Sequence, residues 1–475
     1  MANPGIDSIG PAFWETADSP VRQRLAPPRP QLAGLRVLVA GMGESGQGAA
    51  DLLCREGAEV TAHDSDAQKA EALRTEWEAR GVRMLTGRLE PMERLDFCVV
   101  SPGVPPFGPF FTWLRQARIP LLGELELACR FLERPILAVT GTNGKTTVTH
   151  MIQHILNRCG IPAEAVGNVG YPVSRVAAEG RRTGEVPLVM EVSSYQCETM
   201  EYFHPVVAVV TNLAPDHLDR YNSIREYYEV KFRMCIHQAP GEALWLGPMV
   251  EGNCPRWVRS KRMSFAVDSL GSQGLFYRNG TVVYRDGSRE ESHAWPSFAK
   301  YPAQQGINAL AAAGASVSYG IPLAEALQAI ESFTALPHRL EFVKEVKGIR
   351  CYNDSKATNV HAVEAALQSL PGPIRLIAGG QAKGDSLDPL TPLIREKVRA
   401  VYLIGEAAET FAEAWQPLTE IHLEATLEAA VDHALREGKA GEVLLLSPAC
   451  ASWDMFKNYA DRGDRFKRAV EEWKP

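Results

Sequence analysis

The feature that most constrains the fold is a glycine-rich loop between an apolar run and a helical pattern. Residues 135–139 read PILAV, residues 140–147 read TGTNGKTT, and a helical pattern follows. In such a loop backbone N–H groups turn onto phosphate oxygens, and the helix N-terminus adds a positive dipole. We expect Lys145 to reach the β- and γ-phosphates and the Thr146 hydroxyl to bind Mg²⁺. The order predicts an α/β domain that binds a nucleotide.

This loop does not match the longer GxxxxGK[ST] pattern, because Val139 stands where its first glycine would be. The alternative is a glycine-rich turn that caps a helix and binds no ligand. The candidate phosphate-binding residues are Gly141, Thr142, Asn143, Gly144, Lys145, Thr146 and Thr147.

Alternating strand and helix patterns divide the chain into three α/β segments, which predicts parallel sheets. We expect an N-terminal extension at 1–34, a Rossmann-like domain at 35–134, a central P-loop ATPase domain at 135–336, and a Rossmann-like C-terminal domain at 337–475. Alternating residues around Asn279-Gly280 predict a hairpin, so the central parallel sheet should carry a small antiparallel piece.

Composition excludes several classes of function. The net charge is −7, without a long Lys/Arg block, which argues against nucleic acid as the partner. The 9 cysteines are scattered and never form Cys-x-x-Cys, which is typical of reduced thiols in a cytosol. Neither a secretory signal nor an apolar run long enough to cross a bilayer is visible. We therefore expect a cytoplasmic protein that does not bind a membrane.

Polar residues follow two apolar runs downstream of the glycine-rich loop. Glu191 ends the run at 188–192, and Asp216 and His217 come after the run at 206–210. Such groups at the ends of parallel strands favour a metal and phosphate site, although a strand-end acid is more often a helix cap. Lys231 lies on a predicted helix, where a lone lysine is usually a solvated surface charge.

A second glycine motif lies near the start of the chain. Residues 41–46 read GMGESG after an apolar strand, and Asp64 ends the next strand. This GxGxxG pattern is typical of dinucleotide binding, but the same geometry holds any pyrophosphate at a helix N-terminus. Close packing of helix on strand, without a ligand, is the third interpretation.

Six motifs in this order give the chain a family resemblance: GTNGKTT, EVSSYQ, DHLDRY, LPHRLE, NDSKATN and SPACASWDMFKNYADRGDRF. Over residues 35–475 the chain resembles the Mur ligase family, and within it the branch that adds D-glutamate. The resemblance implies that ATP phosphorylates the carboxylate of UDP-N-acetylmuramoyl-L-alanine. The amine of D-Glu then attacks the acyl phosphate, in the synthesis of a peptidoglycan precursor.

The resemblance also implies roles for individual residues. Two Mg²⁺ ions would be held by Thr146, Glu191, His217 and Lys231, the last as a carbamate, and Lys145 would serve with these groups in catalysis. Beside the phosphate loop, ATP would contact Asn308, Arg339 and Asp354. D-Glu would contact Lys356, Thr358, Lys383, Ser452 and Tyr459. The UDP substrate would contact Gly43, Ser45, Gly46, Asp64, Ser65, Ser101, Gly103, Asn168 and His217.

The implied partners are small molecules only, and we expect a monomer. The chain departs from the family at Gln304-Gln305, where His-Asn is usual.

Three other hypotheses stay open. A nicotinamide-dependent oxidoreductase would use GxGxxG but leaves the phosphate loop and NDSKATN unexplained. A P-loop binding protein would bind nucleotide without releasing ADP. A ligase for another amino acid would carry a DNPR-type motif, which this sequence lacks.

Overall fold

The structure, a computed structural model, describes residues 20–168, 170–217, 220–334, 336–382 and 386–474. In this part of the chain no helix combines the length and the apolar character needed to span a membrane. The chain divides into two compact units. The first extends to Trp295 and includes Asn308–Glu331, and the second comprises Pro296–Ile307 and the chain from Ser332 onward. The domain boundaries predicted at 135 and 337 stay predictions.

The first unit begins with a parallel sheet. Its strands are β1 (Arg36–Ala40), β2 (Glu59–Asp64), β3 (Arg83–Thr86), β4 (Phe97–Val100) and β5 (Leu121–Gly123). The accompanying helices are α1 (Pro20–Arg24), α2 (Glu44–Arg55), α3 (Ala67–Glu78), α4 (Pro109–Gln116) and α5 (Glu124–Cys129). The strand order is β3-β2-β1-β4-β5, with every pairing parallel. The order reverses between β1 and β4, which is where such sheets open a ligand crevice.

Strand β1 is apolar throughout because both of its faces are covered. Val37 and Val39 pack into a core that includes residues of α2, whereas Leu38 and Ala40 pack into another core that includes residues of α4. Successive side chains of a strand point to opposite faces, so an unbroken apolar run is what a sheet covered on both sides requires.

The second sheet of the first unit is larger and mixed. Its strands are β6 (Ile136–Thr140), β7 (Glu164–Gly167), β8 (Leu188–Glu191), β9 (Val207–Val210), β10 (Ala243–Leu246), β11 (Lys261–Val267), β12 (Gly274–Arg278), β13 (Thr281–Asp286) and β14 (Arg289–Ala294). The helices that follow β6 are α6 (Lys145–Arg158), α7 (Val173–Ala178), α8 (Ser194–Cys197), α9 (Ile224–Lys231), α10 (Ala303–Ser318) and α11 (Leu323–Glu331). The order is β14-β13-β12-β11-β10-β9-β6-β8-β7.

Two features of this sheet bear on the predictions. Strands β12, β13 and β14 pair antiparallel, and the predicted hairpin forms with Arg278 opposite Thr281. Asn279 and Gly280 both have positive φ, 50° and 78°, as a two-residue type I′ turn requires. Strand β6 lies between β8 and β9, so the carboxyl ends of these three parallel strands come together.

The second unit contains the third sheet. Its strands are β15 (Glu341–Val346), β16 (Ile349–Asn353), β17 (Ile374–Gly379), β18 (Val398–Ile404), β19 (Glu420–Leu423) and β20 (Val443–Leu446). Its helices are α12 (Val360–Ser369), α13 (Thr391–Lys397), α14 (Ala408–Trp415), α15 (Leu427–Glu437) and α16 (Tyr459–Glu471). The order is β15-β16-β20-β17-β18-β19, antiparallel only at β15–β16 among the described pairs.

The three α/β sheets confirm the predicted fold class, including the antiparallel piece of the central sheet. The last helix, α16, begins at Tyr459. Asn458 caps it, with its side-chain oxygen accepting a hydrogen bond from the N–H of Asp461. An N-cap of this kind satisfies a backbone donor of the first turn and sets where the helix starts.

Candidate active site

The glycine-rich loop leads from β6 into α6 and is held by the segment that follows β9. The N–H of Asn143 donates to Asn212 Oδ1 at 2.9 Å, and Asn212 Nδ2 donates back to the Asn143 carbonyl at 3.0 Å. Thr211 Oγ1 donates to the same carbonyl at 2.6 Å. Thr211 and Asn212 therefore shape the loop, a role that their positions after an apolar strand did not predict.

Two glycines of the loop adopt backbone conformations that other residues avoid. Gly141 has φ 140°, and a Cβ there would lie 2.0 Å from Thr211 Oγ1. Gly144 has φ 83°, and a Cβ there would lie 2.6 Å from Asn308 Oδ1. The loop can therefore form only with glycine at these positions. The same contact places Asn308, one of the predicted ATP residues, beside the loop.

Two lysines meet at the carbonyl oxygen of Gly141. Lys145 Nζ donates to it at 2.9 Å and to the Thr142 carbonyl at 2.8 Å. Lys231 Nζ, from the last residue of α9, donates to the same Gly141 oxygen at 3.1 Å. A carbonyl with two lone pairs can accept both bonds. The two ammonium groups are thus brought into the same small volume.

Lys231 is buried, with 1% of its surface exposed, and its Nζ lies 4.3 Å from the centre of the Tyr227 ring. Burial, together with the positive charge of Lys145, lowers the pKa of Lys231 to about 7. The interpretation of this residue as a solvated surface charge is therefore wrong. Helix α9 packs this face inward, and a buried amine with so low a pKa is substantially neutral near neutral pH.

Glu191 ends β8 beside the loop and is 2% exposed. Its Oε1 accepts a hydrogen bond of 2.8 Å from Asn168 Nδ2. Its Oε2 is buried and has no hydrogen-bond partner among the described residues. A buried carboxylate oxygen without a partner costs free energy, and a cation is what such an oxygen accommodates best.

His217 lies in the left-handed region, with φ 56°, at the end of the segment that holds the loop. Its Nδ1 is 2.8 Å from the hydroxyl of Tyr195, and its backbone N–H donates to Asp216 Oδ1 at 2.9 Å. The ring lies 4.9 Å from that of Tyr195 and 5.9 Å from that of Tyr227. These contacts orient the imidazole, and the neighbouring residues 218 and 219 lie outside the described part of the chain.

The donor set of this region fits a divalent cation bound with phosphates. Thr146 is buried in the first turn of α6, and Thr147 follows it. Hydroxyl and carboxylate oxygens are the ligands that Mg²⁺ prefers. Asn168, Glu191 and Lys145 thus occupy one edge of the central sheet, because the strands and loops that carry them end there. The loop can bind phosphates and the acid can bind a metal.

A cavity of about 650 Å³ opens at the switch point of the first sheet. Seven of the residues predicted to contact the UDP substrate line it: Gly43, Ser45, Asp64, Ser65, Ser101, Gly103 and Asn168. His63, Lys69, Arg88 and the aromatic Phe107 also line it. A cavity with apolar walls and a few polar groups is what a nucleotide-sized ligand requires.

Within this cavity Asp64 is held by three donors. The N–H of Met42 and Lys69 Nζ both donate to Oδ2, at 2.9 and 2.8 Å, and the N–H of Asp66 donates to Oδ1 at 3.1 Å. Burial raises the pKa of Asp64, but these hydrogen bonds outweigh it and leave the pKa below its ordinary value. Asp64 therefore stays ionised and fixes the glycine loop.

Gly46 does not line the cavity and has a packing role. A Cβ there would lie 1.8 Å from the carbonyl oxygen of Gly41 and 2.8 Å from Ser101 Oγ. Ser101 Oγ donates to that carbonyl at 2.6 Å. Helix α2 can therefore approach the end of β1 this closely only with glycine at 46, which matches the third glycine of the GxGxxG pattern.

In the second unit, a buried arginine connects the NDSKATN loop with the C-terminal motif. Arg462 is fully buried and donates to the Ser355 carbonyl at 2.9 Å and to the Cys450 carbonyl at 3.1 Å. Burial lowers the pKa of its guanidinium to about 10. Sequence reasoning missed Arg462, because only the tertiary fold brings residues 355 and 450 to it.

The residues predicted to contact D-Glu lie on these two loops. Lys356 Nζ is 3.8 Å from the centre of the Tyr459 ring, and Ser355 Oγ donates to the Tyr459 carbonyl at 2.7 Å. Ser452 is buried, and Thr358 is half-buried. The structure thus brings Lys356 and Tyr459 together. Lys383 lies outside the described residues.

Asp354 and Arg339, the other two predicted ATP residues, belong to the second unit. Asp354 Oδ2 accepts a hydrogen bond of 2.9 Å from Ser447 Oγ, and Oδ1 accepts one of 3.0 Å from the N–H of Leu340. Burial raises the pKa of this carboxyl to about 7, with the hydrogen bonds and Arg339 acting in the opposite direction.

The sequence matches two family models, the Mur ligase middle domain over residues 139–246 and the Mur ligase, glutamate ligase domain over residues 338–450. Curated relatives match over nearly their whole length. One is the UDP-N-acetylmuramoylalanine–D-glutamate ligase of Geotalea uraniireducens, 40% identical over 446 residues that cover 93% of this chain and 98% of the relative. The enzyme of the same name from Geobacter metallireducens is 39% identical, with 93% and 98% covered.

Solved structures share the fold at low sequence identity. A pseudomurein peptide ligase type C from Methanothermus fervidus has a TM-score of 0.56 at 16% identity, with 93% of this chain and 100% of that chain covered. MurF ligase from Thermotoga maritima, in complex with ADP, has a TM-score of 0.55 at 18% identity, with 93% and 96% covered. Because relatives with 40% identity cover almost the whole chain, this protein belongs to the Mur ligase family of ATP-dependent, amide-bond-forming ligases.

Proposed function

We propose that this enzyme joins D-glutamate to the L-alanyl carboxylate of UDP-N-acetylmuramoyl-L-alanine, with ATP as the source of energy. The observation that carries the reaction type is the meeting of Lys145 and Lys231 at the Gly141 carbonyl, together with the buried oxygen of Glu191 that has no hydrogen-bond partner among the described residues. The name shared by the curated relatives supports the choice of substrates.

In the first step, a carboxylate oxygen of the substrate attacks the γ-phosphorus of ATP. The bond from that phosphorus to the bridging oxygen breaks, and ADP leaves with the electron pair. A carboxylate is a poor electrophile, and phosphorylation converts one of its oxygens into a leaving group. Catalysis then depends on position and on neutralised charge. Lys145 and the N–H groups of the loop would supply both at the phosphates.

Divalent cations would be held by Thr146, Glu191, His217 and the carbamate of Lys231. Bound Mg²⁺ supplies charge neutralisation for the transferred phosphoryl group. Glu191 fits this assignment because its buried Oε2 has no partner among the described residues. Asn168 fixes the other oxygen of the same carboxylate, in the way that outer partners orient metal ligands.

A carbamate at Lys231 would form when the neutral amine attacks CO₂ and releases a proton. The low pKa of Lys231 provides the neutral amine near neutral pH. The carbamate would replace a buried cation beside Lys145 with an anion, and opposite charges in a buried site attract. The geometry supports the modification, since the Lys231 amine and the Lys145 ammonium share a single carbonyl oxygen.

In the second step, the amine of D-Glu attacks the acyl carbon. The tetrahedral intermediate collapses with loss of phosphate, and the amine loses a proton. We assign recognition of D-Glu to Lys356, Thr358, Ser452 and Tyr459, with Lys383 from the part of the chain that is not described. A ligand with two carboxylates requires ammonium and hydroxyl donors, and Lys356 and Ser452 offer both kinds.

The cavity of the first sheet would hold the UDP portion of the substrate, with Asp64 and Ser65 near the base. The family resemblance implies this position, since a nucleoside diphosphate can use the same helix N-terminus geometry as the dinucleotide of a dehydrogenase. The oxidoreductase hypothesis leaves the phosphate loop and the Lys145–Lys231 pair without a purpose.

We further propose that the enzyme is a monomer and that it works in the cytoplasm. Light scattering in solution tests the oligomeric state.

The decisive experiment measures phosphate release from ATP and Mg²⁺ with UDP-N-acetylmuramoyl-L-alanine, across a panel of D- and L-amino acids. We expect release that requires both the nucleotide substrate and D-Glu. Release with a different amino acid would keep the acyl-phosphate mechanism but refute the assigned acceptor. An absence of release with every acceptor, while ATP still binds, would refute the ligase and favour a P-loop binding protein.

A further inference from the structure

A cluster of two histidines and a carboxylate lies on the third sheet and contains none of the residues assigned to the proposed reaction. His422 belongs to the edge strand β19, and His433 and Glu437 lie on helix α15. One ligand atom from each residue lies within 4.8 Å of the other two. In the described part of the chain this is the single group of three or more such residues with that geometry.

The distances suit a small divalent ion. His433 Nε2 is 3.2 Å from Glu437 Oε1, and His422 Nε2 is 3.7 Å from Glu437 Oε2. Zinc bonds of about 2.0–2.1 Å in a tetrahedron place ligand atoms about 3.3 Å apart. His433 and Glu437 are four residues apart on one face of a helix, as in helical metal motifs.

His422 provides an independent sign of a missing ligand. Its Nε2 is buried and makes no hydrogen bond with any described residue. Its ring stacks on that of Tyr402, 4.9 Å between centres and 13° between planes, because the two residues pair across strands β18 and β19. The ring is therefore fixed, with its Nε2 3.4 Å from Glu420 Oε1 and 3.7 Å from Glu437 Oε2.

The surrounding groups orient the ligands as outer partners do in metal sites. His433 Nδ1 is 2.6 Å from Glu424 Oε1, which leaves Nε2 on the side of Glu437. The hydroxyl of Tyr402 donates to Glu437 Oε2 at 3.2 Å. A histidine ligand usually donates its second N–H to a carboxylate, and a ligating carboxylate is itself hydrogen-bonded.

The local charge also favours a cation. Glu420, Glu424 and Glu437 all contact one of the two histidines. Arg375 contacts Glu437 at 3.4 Å but makes a shorter ion pair of 2.6 Å with Glu442. His433 and Glu437 remain more than a third exposed, so solvent can supply a further ligand.

We propose that His422, His433 and Glu437 form a binding site for a divalent transition metal, and that Zn²⁺ is the ion that fits it best. Two imidazoles and one carboxylate suit this ion and discriminate against Mg²⁺ and Ca²⁺, which prefer oxygen. The ion would join the edge strand β19 to helix α15. The site is independent of the proposed ligase reaction.

The test uses Co²⁺ as a spectroscopic substitute for Zn²⁺ on the full chain, freed of metal with a chelator and kept in excess Mg²⁺. We expect the wild type to bind one more tight equivalent of Co²⁺ than the His422→Ala/His433→Ala variant. The added visible bands should lack the thiolate charge-transfer band, which separates this site from the cysteines. Glu424→Gln should weaken the site about 10- to 100-fold.

The matched control is His204→Ala, which removes an exposed histidine that pairs with a single carboxylate, that of Glu242. This variant should keep the wild-type Co²⁺ titration. Should the double variant fail to fold, His433→Gln and Glu437→Gln carry the test, since each preserves side-chain volume and a hydrogen-bonding group. Equal Co²⁺ stoichiometry and affinity in wild type and in these variants would overturn the proposal.

Discussion

Lys145 Nζ and Lys231 Nζ donate hydrogen bonds to one carbonyl oxygen, that of Gly141, at 2.9 and 3.1 Å. One lysine comes from the phosphate loop and the other from a helix much later in the chain. Burial and the positive charge of Lys145 both disfavour the protonated form of Lys231, whose pKa is lowered to about 7. An anion at this point, whether phosphate or carbamate, would be attracted by the charge of Lys145.

Replacing Lys231 with alanine should therefore remove activity rather than stability. We expect phosphate release to fall by about 10²–10³-fold, the size of effect seen when a fixed electrostatic group is lost. Short carboxylates added to the buffer should restore part of the activity, because they can supply the anion of the missing carbamate. Steady-state phosphate release with and without acetate measures both effects.

The control for this experiment is Lys261→Ala, which removes a partly exposed lysine of strand β11 that is paired with Asp286. It should retain wild-type activity and show no response to acetate. Full activity of Lys231→Ala would show that no essential carbamate forms at this position.

Gly141→Ala should disrupt the phosphate loop. The new Cβ would lie 2.0 Å from Thr211 Oγ1, at a φ of 140° that alanine rarely adopts. A strained residue of this kind costs about 1–3 kcal/mol, and the loop would relieve the strain by moving. Calorimetric titration with ADP should show affinity reduced by at least tenfold. Gly241→Ala, where the added carbon meets no atom within 4 Å, should bind ADP as the wild type does.

Arg462→Met should weaken recognition of D-Glu, although Arg462 is not among the residues assigned to contact the amino acid. The guanidinium holds the carbonyls of Ser355 and Cys450, and each buried carbonyl left without a donor costs about 1–3 kcal/mol. We expect lower thermal stability and a KM for D-Glu that rises more than the KM for ATP. Arg468→Met, on the exposed face of the same helix, should change neither. An unchanged KM for D-Glu in Arg462→Met would contradict this positioning role.

Asp354 should make the enzyme less stable as the pH rises from about 4 to about 7. The pKa of an unfolded aspartate is about 3.9, whereas burial raises that of Asp354 to about 7. In this window the folded state holds a proton that the unfolded state has lost, so unfolding becomes easier with increasing pH. Urea unfolding across the window should show that Asp354→Asn gains stability relative to wild type as the pH rises.

The matched variant is Asp388→Asn, which changes an exposed carboxyl in the same unit. Its stability difference from the wild type should stay constant over the window. A parallel pH dependence of Asp354→Asn and the wild type would mean that Asp354 has the same pKa in the folded and in the unfolded protein.

Local features were predictable from the sequence because short-range geometry determines them. The strand–loop–helix of the phosphate site follows from an apolar run, two glycines and a lysine in order. The hairpin at Asn279-Gly280 follows from the positive φ that such a turn requires, and both residues have it. Gly46 is recognisable in the sequence as the third glycine of GxGxxG, but only the structure shows that it packs against Gly41.

Residues that act through burial or through distant partners could not be read in this way. A lysine on a helix has the same local pattern whether it faces solvent or the core, so only the packing of α9 buries Lys231 beside Gly141. Arg462 looks like any charged residue of an amphipathic helix until the fold brings Ser355 and Cys450 around it. His422, His433 and Glu437 likewise form a cluster only because β19 lies at the edge beside α15.

The sequence by itself therefore determined the three α/β segments, the phosphate loop and the family, since periodicity and the order of motifs can be read directly from the order of the residues. The tertiary structure alone decided which charges are buried, which carbonyls they share and which side chains approach one another. The physical reason is that pKa values and metal geometry depend on distances of a few ångströms between residues remote in the chain, and only the packed fold sets those distances.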